Sequence, residues 1–71
     1  MTNWSAYAKG IMRSEMTRKG LSYADLVKVL AESGVKETEV NLRNKVSRGS
    51  FTAAFLFQCL SAMGVKTLHL D

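Results

Sequence analysis

Apolar residues recur three and four positions apart in four segments of the chain, and a glycine follows each segment. This spacing places apolar side chains on one face of an α-helix, and glycine readily ends a helix. Proline, which would interrupt such helices, is absent. The pattern predicts helices over residues 4–19, 22–33, 38–48 and 51–63, followed by a tail over residues 65–71. The expected fold is one all-α domain over residues 1–71, a bundle of four or five helices with a short extended C-terminal tail.

Residues that favour helix starts precede each segment. Ser22 is followed three positions later by Asp25, which is the spacing of a capping box. The candidate capping residues are Asn3 or Ser5, Ser22, Thr38, and Ser50 or Thr52. Leu21 and Val35 each follow a glycine, and we expect both to fold back against the preceding helix.

The third predicted helix has a divided surface. Leu42 and Val46 are four positions apart, so they share one face and are expected in the core. Another face carries a polar stripe at positions i, i+3, i+4 and i+7, formed by Asn41, Asn44, Lys45 and Arg48. Such side chains hydrogen-bond base edges and phosphates in a DNA groove. The stripe therefore indicates a DNA-recognition helix, and the alternative is the solvated face of an ordinary surface helix.

The distribution of charge is more informative than its total. The 71 residues carry a net charge of +4, which permits binding to nucleic acid or to an acidic surface without requiring it. Three cations and no acid lie between positions 41 and 48. Glu37 and Glu39 precede this stretch, where carboxylates would repel phosphate.

Cysteine usage and the lack of targeting segments suggest a compartment. Cys59 is the only cysteine, so no disulfide can form within the chain, as is usual in a reducing cytosol. The N-terminal segment lacks the pattern of a signal peptide, and no stretch approaches the roughly 18 apolar residues of a membrane span. A cytoplasmic location without a membrane partner is expected.

Several segments resemble the lambda-repressor-like (phage-repressor-type) DNA-binding domains. Residues 21–26, Leu-Ser-Tyr-Ala-Asp-Leu, resemble the entry into their second helix, and Gly34-Val35 resembles their turn. Residues 46–49, Val-Ser-Arg-Gly, resemble the close of their third helix, and residues 55–65 resemble their fourth. The whole chain is also similar to a family of small bacterial proteins of unassigned function that share Asn-Leu-Arg-Asn-Lys-Val-Ser-Arg-Gly, found here at residues 41–49.

The phage-repressor resemblance implies a helix-turn-helix formed by the second and third helices. The third helix would enter the major groove of double-stranded DNA, as in a small transcriptional regulator. The residues facing bases or flanking phosphates would be Asn41, Asn44, Lys45 and Arg48. Arg43 would contact the DNA backbone or remain a surface charge. Phosphates would also meet the starts of the second and fourth helices, at Ser22, Tyr23, Ser50 and Thr52.

The fourth helix suggests a second interpretation, a protein-interaction module. Phe57 lies on the side of this helix away from Phe55 and Cys59, and one helix of so small a domain rarely buries both sides within the chain. A homodimer or another protein partner would use a surface formed by Ala53, Phe57, Leu68 and Leu70. Alternatively, the tail would fold back over the first helix and cover Phe57.

The sequence offers no arrangement typical of catalysis. It shows no nucleophile–base pair, paired carboxylates or phosphate-binding loop, so an enzyme is not expected. His69 has no second metal-type ligand nearby, and Cys59 is expected to be a small buried side chain. The large side chains near the N-terminus are interpreted as core rather than as a ligand groove: Trp4, Tyr7, Met12 and Met16. No cofactor, metal or small-molecule ligand is therefore expected.

Overall fold

The computed structural model describes residues 3–68 and 70, and over that range the chain forms four α-helices. They are α1 (Trp4–Lys19), α2 (Tyr23–Glu32), α3 (Glu39–Arg48) and α4 (Ala53–Ala62). No strand occurs among these residues, so the all-α prediction is confirmed, with four helices rather than five. The prediction for His69 lies outside the described residues. None of the described helices combines the length and apolar composition needed to cross a membrane.

Side-chain hydrogen bonds cap the four helices. The backbone N–H of Asp25 donates to the Ser22 hydroxyl at 3.1 Å, and the backbone N–H of Ser22 donates to the Asp25 carboxylate at 3.0 Å, so the predicted capping box is present. The bond from the Ser22 backbone is the main reason that the pKa of the Asp25 carboxyl is lowered, because it favours the charged form. The other capping residues are Asn3, Thr38 and Thr52. Of the two candidates for α4, Thr52 is therefore the cap.

Three helices, α1, α2 and α4, end in the same chain reversal. In each, an apolar residue just beyond the helix donates its backbone N–H to a carbonyl five residues earlier, at 2.9 Å. This bond belongs to the Schellman turn, which also brings that apolar side chain back to the helix. The reversing residues are Leu21, Val35 and Val65, and all three are half-buried against the core. The sequence-based expectation for Leu21 and Val35 is thus confirmed.

The core lies between the four helices, and α1 and α2 each pack against both α3 and α4. The buried side chains come from every helix and from the end of α4: Met12, Met16, Leu26, Leu30, Leu42, Val46, Phe55, Cys59, Leu60 and Met63. Leu42 and Val46 are fully buried, so the core-facing side of α3 is the predicted one.

Trp4 departs from the predicted core, since it is 70% exposed. It is the first residue of α1 and lies outside the packed part of the bundle. Tyr7 is half-buried, and its ring meets the Trp4 ring edge-on with the centroids 5.7 Å apart. Of the four large N-terminal side chains, only Met12 and Met16 belong to the core.

α1 runs beside α3 in the opposite direction. Near the start of α1, the carbonyl oxygen of Ser5 lies 2.0 Å from the position that a Cβ atom on Gly49 would occupy. Towards the end of α1, Arg13 and Thr17 line a groove together with Glu39, at the start of α3. Gly49 has a φ of 65°, and any side chain there would collide with the backbone of α1. α1 therefore borders α3 along its length.

Candidate nucleic-acid interface

The predicted polar stripe of α3 is exposed. Its members are Asn41, Asn44, Lys45 and Arg48. Opposite the buried side of the helix, helical periodicity brings Val40 and Asn44 to the centre of the exposed side. Lys45 lies on the flank next to α4, where it contacts Phe55, and Arg43 lies on the flank next to α1. α3 thus presents a central region and two flanks with different surroundings.

Lys45 is held by contacts within the protein. Its ammonium donates a hydrogen bond to the carboxylate of Glu37 and lies 4.7 Å from the centroid of the Phe55 ring. The Glu37 side chain is only 8% exposed. The Glu37 carboxylate, which would otherwise repel phosphate, is therefore turned inward and paired with Lys45. Because of this pairing, less of the Lys45 charge is available to attract another molecule.

Arg43 is also paired, but at the surface. Its guanidinium donates to the Glu39 carboxylate at 2.8 Å and lies 5.3 Å from the centroid of the Tyr23 ring. Both members of the ion pair are about half exposed, so the pair contributes little to stability and can separate readily. Tyr23 is half-buried, and Arg43 covers its ring.

Asn41, Asn44 and Arg48 keep their side chains free. Among residues 3–68 and 70, none of these three side chains makes a hydrogen bond, an ion pair or a ring contact. Exposed amides and a guanidinium without protein partners have their full hydrogen-bonding capacity available. They are the part of the stripe that can bind another molecule without breaking a contact within the chain.

Cationic and hydroxyl side chains line a groove at the start of α4. It is lined by Lys45, Arg48, Ser50, Phe51, Thr52 and Phe55. Thr52 accepts the backbone N–H of Phe55 at 3.0 Å, which leaves its own O–H and the first N–H groups of α4 able to donate. The predicted residues Ser50 and Thr52 are thereby brought next to the end of α3.

A second groove lies on the other flank, at the start of α2. It is lined by Arg13, Met16, Thr17, Leu21, Ser22, Tyr23, Glu39 and Arg43. The predicted residues Ser22 and Tyr23 are therefore next to Glu39 and Arg43 of α3. Arg13 is an addition that the sequence interpretation missed. Its place on the polar side of α1 is visible in the sequence, but the side of the bundle it borders depends on tertiary packing.

Cys59 lies in the core below this surface. It is a free thiol, and burial is the main reason that its pKa is raised to about 12. The nearby Glu37 carboxylate raises the pKa further, whereas the Lys45 ammonium lowers it. At neutral pH the group is a protonated, inaccessible thiol, which agrees with the small buried side chain expected from the sequence.

The residues assigned to a protein interface differ in their exposure to solvent. Ala53, Phe57 and Leu70 are exposed, with Phe57 at 60%, whereas Leu68 is half-buried against the core. Of the two alternatives for Phe57, coverage by the tail is therefore wrong for the described residues. Leu68 is held by the core, and Phe57 remains at the rim of a groove lined also by residues 64–68.

Of the two resemblances, the comparisons with known proteins support the one to a family of unassigned function. Neither a curated protein nor a solved structure is significantly similar to the chain. The similarity to phage-repressor-type domains receives no support from them. A family model described as a domain of unknown function matches residues 4–68. The chain therefore belongs to this family, DUF6471.

Proposed function

We propose that the protein binds double-stranded DNA with the exposed side of α3 in the major groove, as a small transcriptional regulator or accessory protein. The observation that carries this proposal is the free state of Asn41, Asn44 and Arg48 on one exposed helix side. Asparagine matches the paired donor and acceptor of adenine, and arginine matches either the two acceptors of guanine or a flanking phosphate. An α-helix of ordinary width fits the major groove.

The two grooves beside α3 supply groups for the DNA backbone. Arg48, Ser50 and Thr52 lie on the α4 flank, and Arg13 with Ser22 lies on the α1 flank. Cations, hydroxyls and the free N–H groups of a helix start are the usual donors to phosphate oxygens. Because the phosphates run along both edges of the major groove, donors on both flanks of one helix suit this mode of binding.

The local architecture is also compatible with a helix-turn-helix. α2 packs against α3, and residues 33–38 connect them. The resemblance of residues 21–65 to phage-repressor-type domains adds support, and under that interpretation α3 is the recognition helix. The Lys45–Glu37 contact then serves to fix this connection against α3.

The proposed role is binding rather than catalysis. Cys59, the one thiol of the chain, is buried and protonated, so it is no nucleophile. A free thiol also suits a reducing compartment, which for a regulator of this kind is the cytoplasm.

Fluorescence anisotropy with random-sequence duplexes over a series of salt concentrations tests the proposal. Arg48→Ala should weaken binding, whereas Lys66→Ala removes an equal charge beside the groove at the other end of α4 and should leave affinity nearly unchanged. Two results would overturn the proposal: no binding by folded native protein at low salt, or equal losses in the two variants.

A protein-interaction role is the second candidate, and the exposure of Phe57 favours it. α4 contains no charged residue, yet it exposes Ala53, Ala54, Phe57, Gln58 and Ser61. An uncharged helix side with a 60% exposed phenylalanine suits a protein partner, including a second copy of the chain. Sedimentation equilibrium of native protein and Phe57→Ser tests the homodimer. A monomer at high micromolar concentration in both samples would exclude it.

A further inference from the structure

Val40 is an apolar side chain placed where the proposed interface is otherwise polar. It lies in the first turn of α3 and is 64% exposed. Among the described residues it is not one of the hydrophobic side chains that pack against the core. The core-facing apolar residues of α3, Leu42 and Val46, lie on the opposite side of the helix.

Neither folding nor solubility favours valine at this position. A β-branched residue is a weaker helix former than lysine, glutamate or alanine, because the preceding helical turn restricts its side chain. Its exposed methyl groups gain nothing from burial within the chain. Of the other large exposed apolar side chains described, Trp4 begins α1, and Phe57 and Leu70 belong to α4 and the tail. Val40 alone among them lies on α3.

The position of Val40 relative to Asn44 suggests what it contacts. The two residues are one turn apart and lie about 40° apart around the helix axis, so they face the same part of a bound groove. The only methyl group that base pairs present in the major groove is the C5-methyl group of thymine. The paired donor and acceptor of adenine, N6 and N7, match an asparagine amide.

The charges around Val40 permit this approach. The neighbouring carboxylate of Glu39 is bound by Arg43 at 2.8 Å, and that of Glu37 is turned inward against Lys45. The carboxylates of Glu37 and Glu39 are thus each paired with a cation of α3. A DNA strand close to Val40 would meet no unpaired carboxylate from these two residues.

Resting on the proposed function, we propose that Val40 contacts a thymine methyl group and so determines specificity, beside an adenine bound by Asn44. The preferred duplex would contain an A·T pair facing Asn44 and a thymine within one or two base pairs of it. A guanine-rich site would offer Val40 no methyl group and would leave the polar base edges beside it without hydrogen bonds.

Replacing thymine by deoxyuridine tests the contact, because only the methyl group is removed. The preferred site is first selected from random duplexes, and each thymine is then replaced in turn. At one position the native protein should lose affinity by about three- to fivefold, the loss expected for one buried methyl group. Val40→Ala should bind the thymine and deoxyuridine duplexes equally, while Val40→Thr, which keeps the shape and one methyl group, should retain part of the difference. Since Val40 is exposed, neither variant removes a core contact.

The outcomes separate this inference from the proposed function. In one outcome, native protein binds DNA with a salt dependence that Arg48→Ala weakens, but every deoxyuridine substitution changes the affinity of native protein and of Val40→Ala equally. Val40 then contacts no methyl group, and only this inference fails. If folded native protein does not bind DNA at all, both fail together. Loss of affinity at one thymine, abolished by Val40→Ala, supports the inference directly.

Discussion

The ammonium of Lys45 in α3 donates a hydrogen bond to the carboxylate of Glu37, which lies in the connection between α2 and α3. Since the Glu37 side chain is 8% exposed and Lys45 also lies over the Phe55 ring, this lysine links three parts of the fold. The sequence assigns Lys45 to DNA together with Arg48, but the two residues have different surroundings. The difference predicts opposite results from two similar substitutions.

Lys45→Ala should destabilise the protein, whereas Arg48→Ala should not. Removing the ammonium leaves the Glu37 carboxylate buried without its partner, which costs about 1–3 kcal/mol of unfolding free energy. Arg48 has no partner to leave behind, so its substitution should change stability by less than about 0.5 kcal/mol. Urea unfolding measures both. If the Lys45 effect comes from the ion pair, it should shrink in a Glu37→Gln background, and an unchanged loss there would point to Phe55 packing instead.

Asn44→Ala and Arg48→Ala should weaken DNA binding in different ways. Arg48→Ala removes a cation, so the slope of log affinity against log salt should become shallower by about 1. Asn44→Ala removes a neutral amide and should leave this slope unchanged, while costing about 1–3 kcal/mol of discrimination at the preferred site. Titrations at four salt concentrations with a selected and a scrambled duplex give both quantities. A slope altered equally by the two variants would contradict the assignment.

Gly49→Ala should be much more damaging than Gly20→Ala. The two glycines have nearly the same backbone conformation, with φ of 65° and 69°. A Cβ on Gly20 meets nothing within 4 Å, so its substitution should cost only the left-handed strain of about 1–2 kcal/mol. At Gly49 the Cβ would lie 2.0 Å from the Ser5 carbonyl oxygen, so α1 must also shift. Thermal unfolding compares the two variants. Equal losses of stability would contradict the prediction, because they would show that α1 shifts away from Gly49 at no cost.

Cys59 should make the protein lose stability in alkali. The thiol pKa is raised from 9.0 to about 12, so the unfolded chain loses this proton at a lower pH than the folded protein does. The contribution of the protonated thiol to the free energy of unfolding is therefore fully present below pH 9 and is lost as pH rises from there towards 12. Urea midpoints between pH 8 and pH 11 should fall more steeply for native protein than for Cys59→Ala, in which the thiol is absent. The native thiol should also react slowly with iodoacetamide until urea unfolds the chain. Parallel curves for the two proteins would contradict the effect.

The predictable parts of this fold are those with local causes. The Ser22–Asp25 capping box and the chain reversals at Leu21 and Val35 depend on residues within one or two turns of each other. Sequence spacing contains that information in full, as it does for the buried pair Leu42 and Val46. For the same reason, the exposed stripe of α3 follows from helical periodicity alone.

The remaining features depend on how separate helices meet. No spacing rule brings Glu37 to Lys45 across eight positions, and none brings Arg13 of α1 to the groove at Ser22. Trp4 has the composition of a core residue, but the first turn of α1 leaves its side chain outside. Phe57 could be assigned to the far side of α4, whereas its exposure depends on the path of residues 64–68.

The backbone contact between Ser5 and Gly49 has a consequence for how the surface of α3 can adapt. Because Ser5 and Gly49 approach each other through main-chain atoms, no side-chain rotation can make room for α3 to move closer to α1. The C-terminal end of α3 therefore has little room to move towards α1. If a duplex binds α3, a change of shape that would press this end against α1 falls on the nucleic acid instead. Sites whose base steps bend and widen easily would then be preferred, even at positions that no side chain touches.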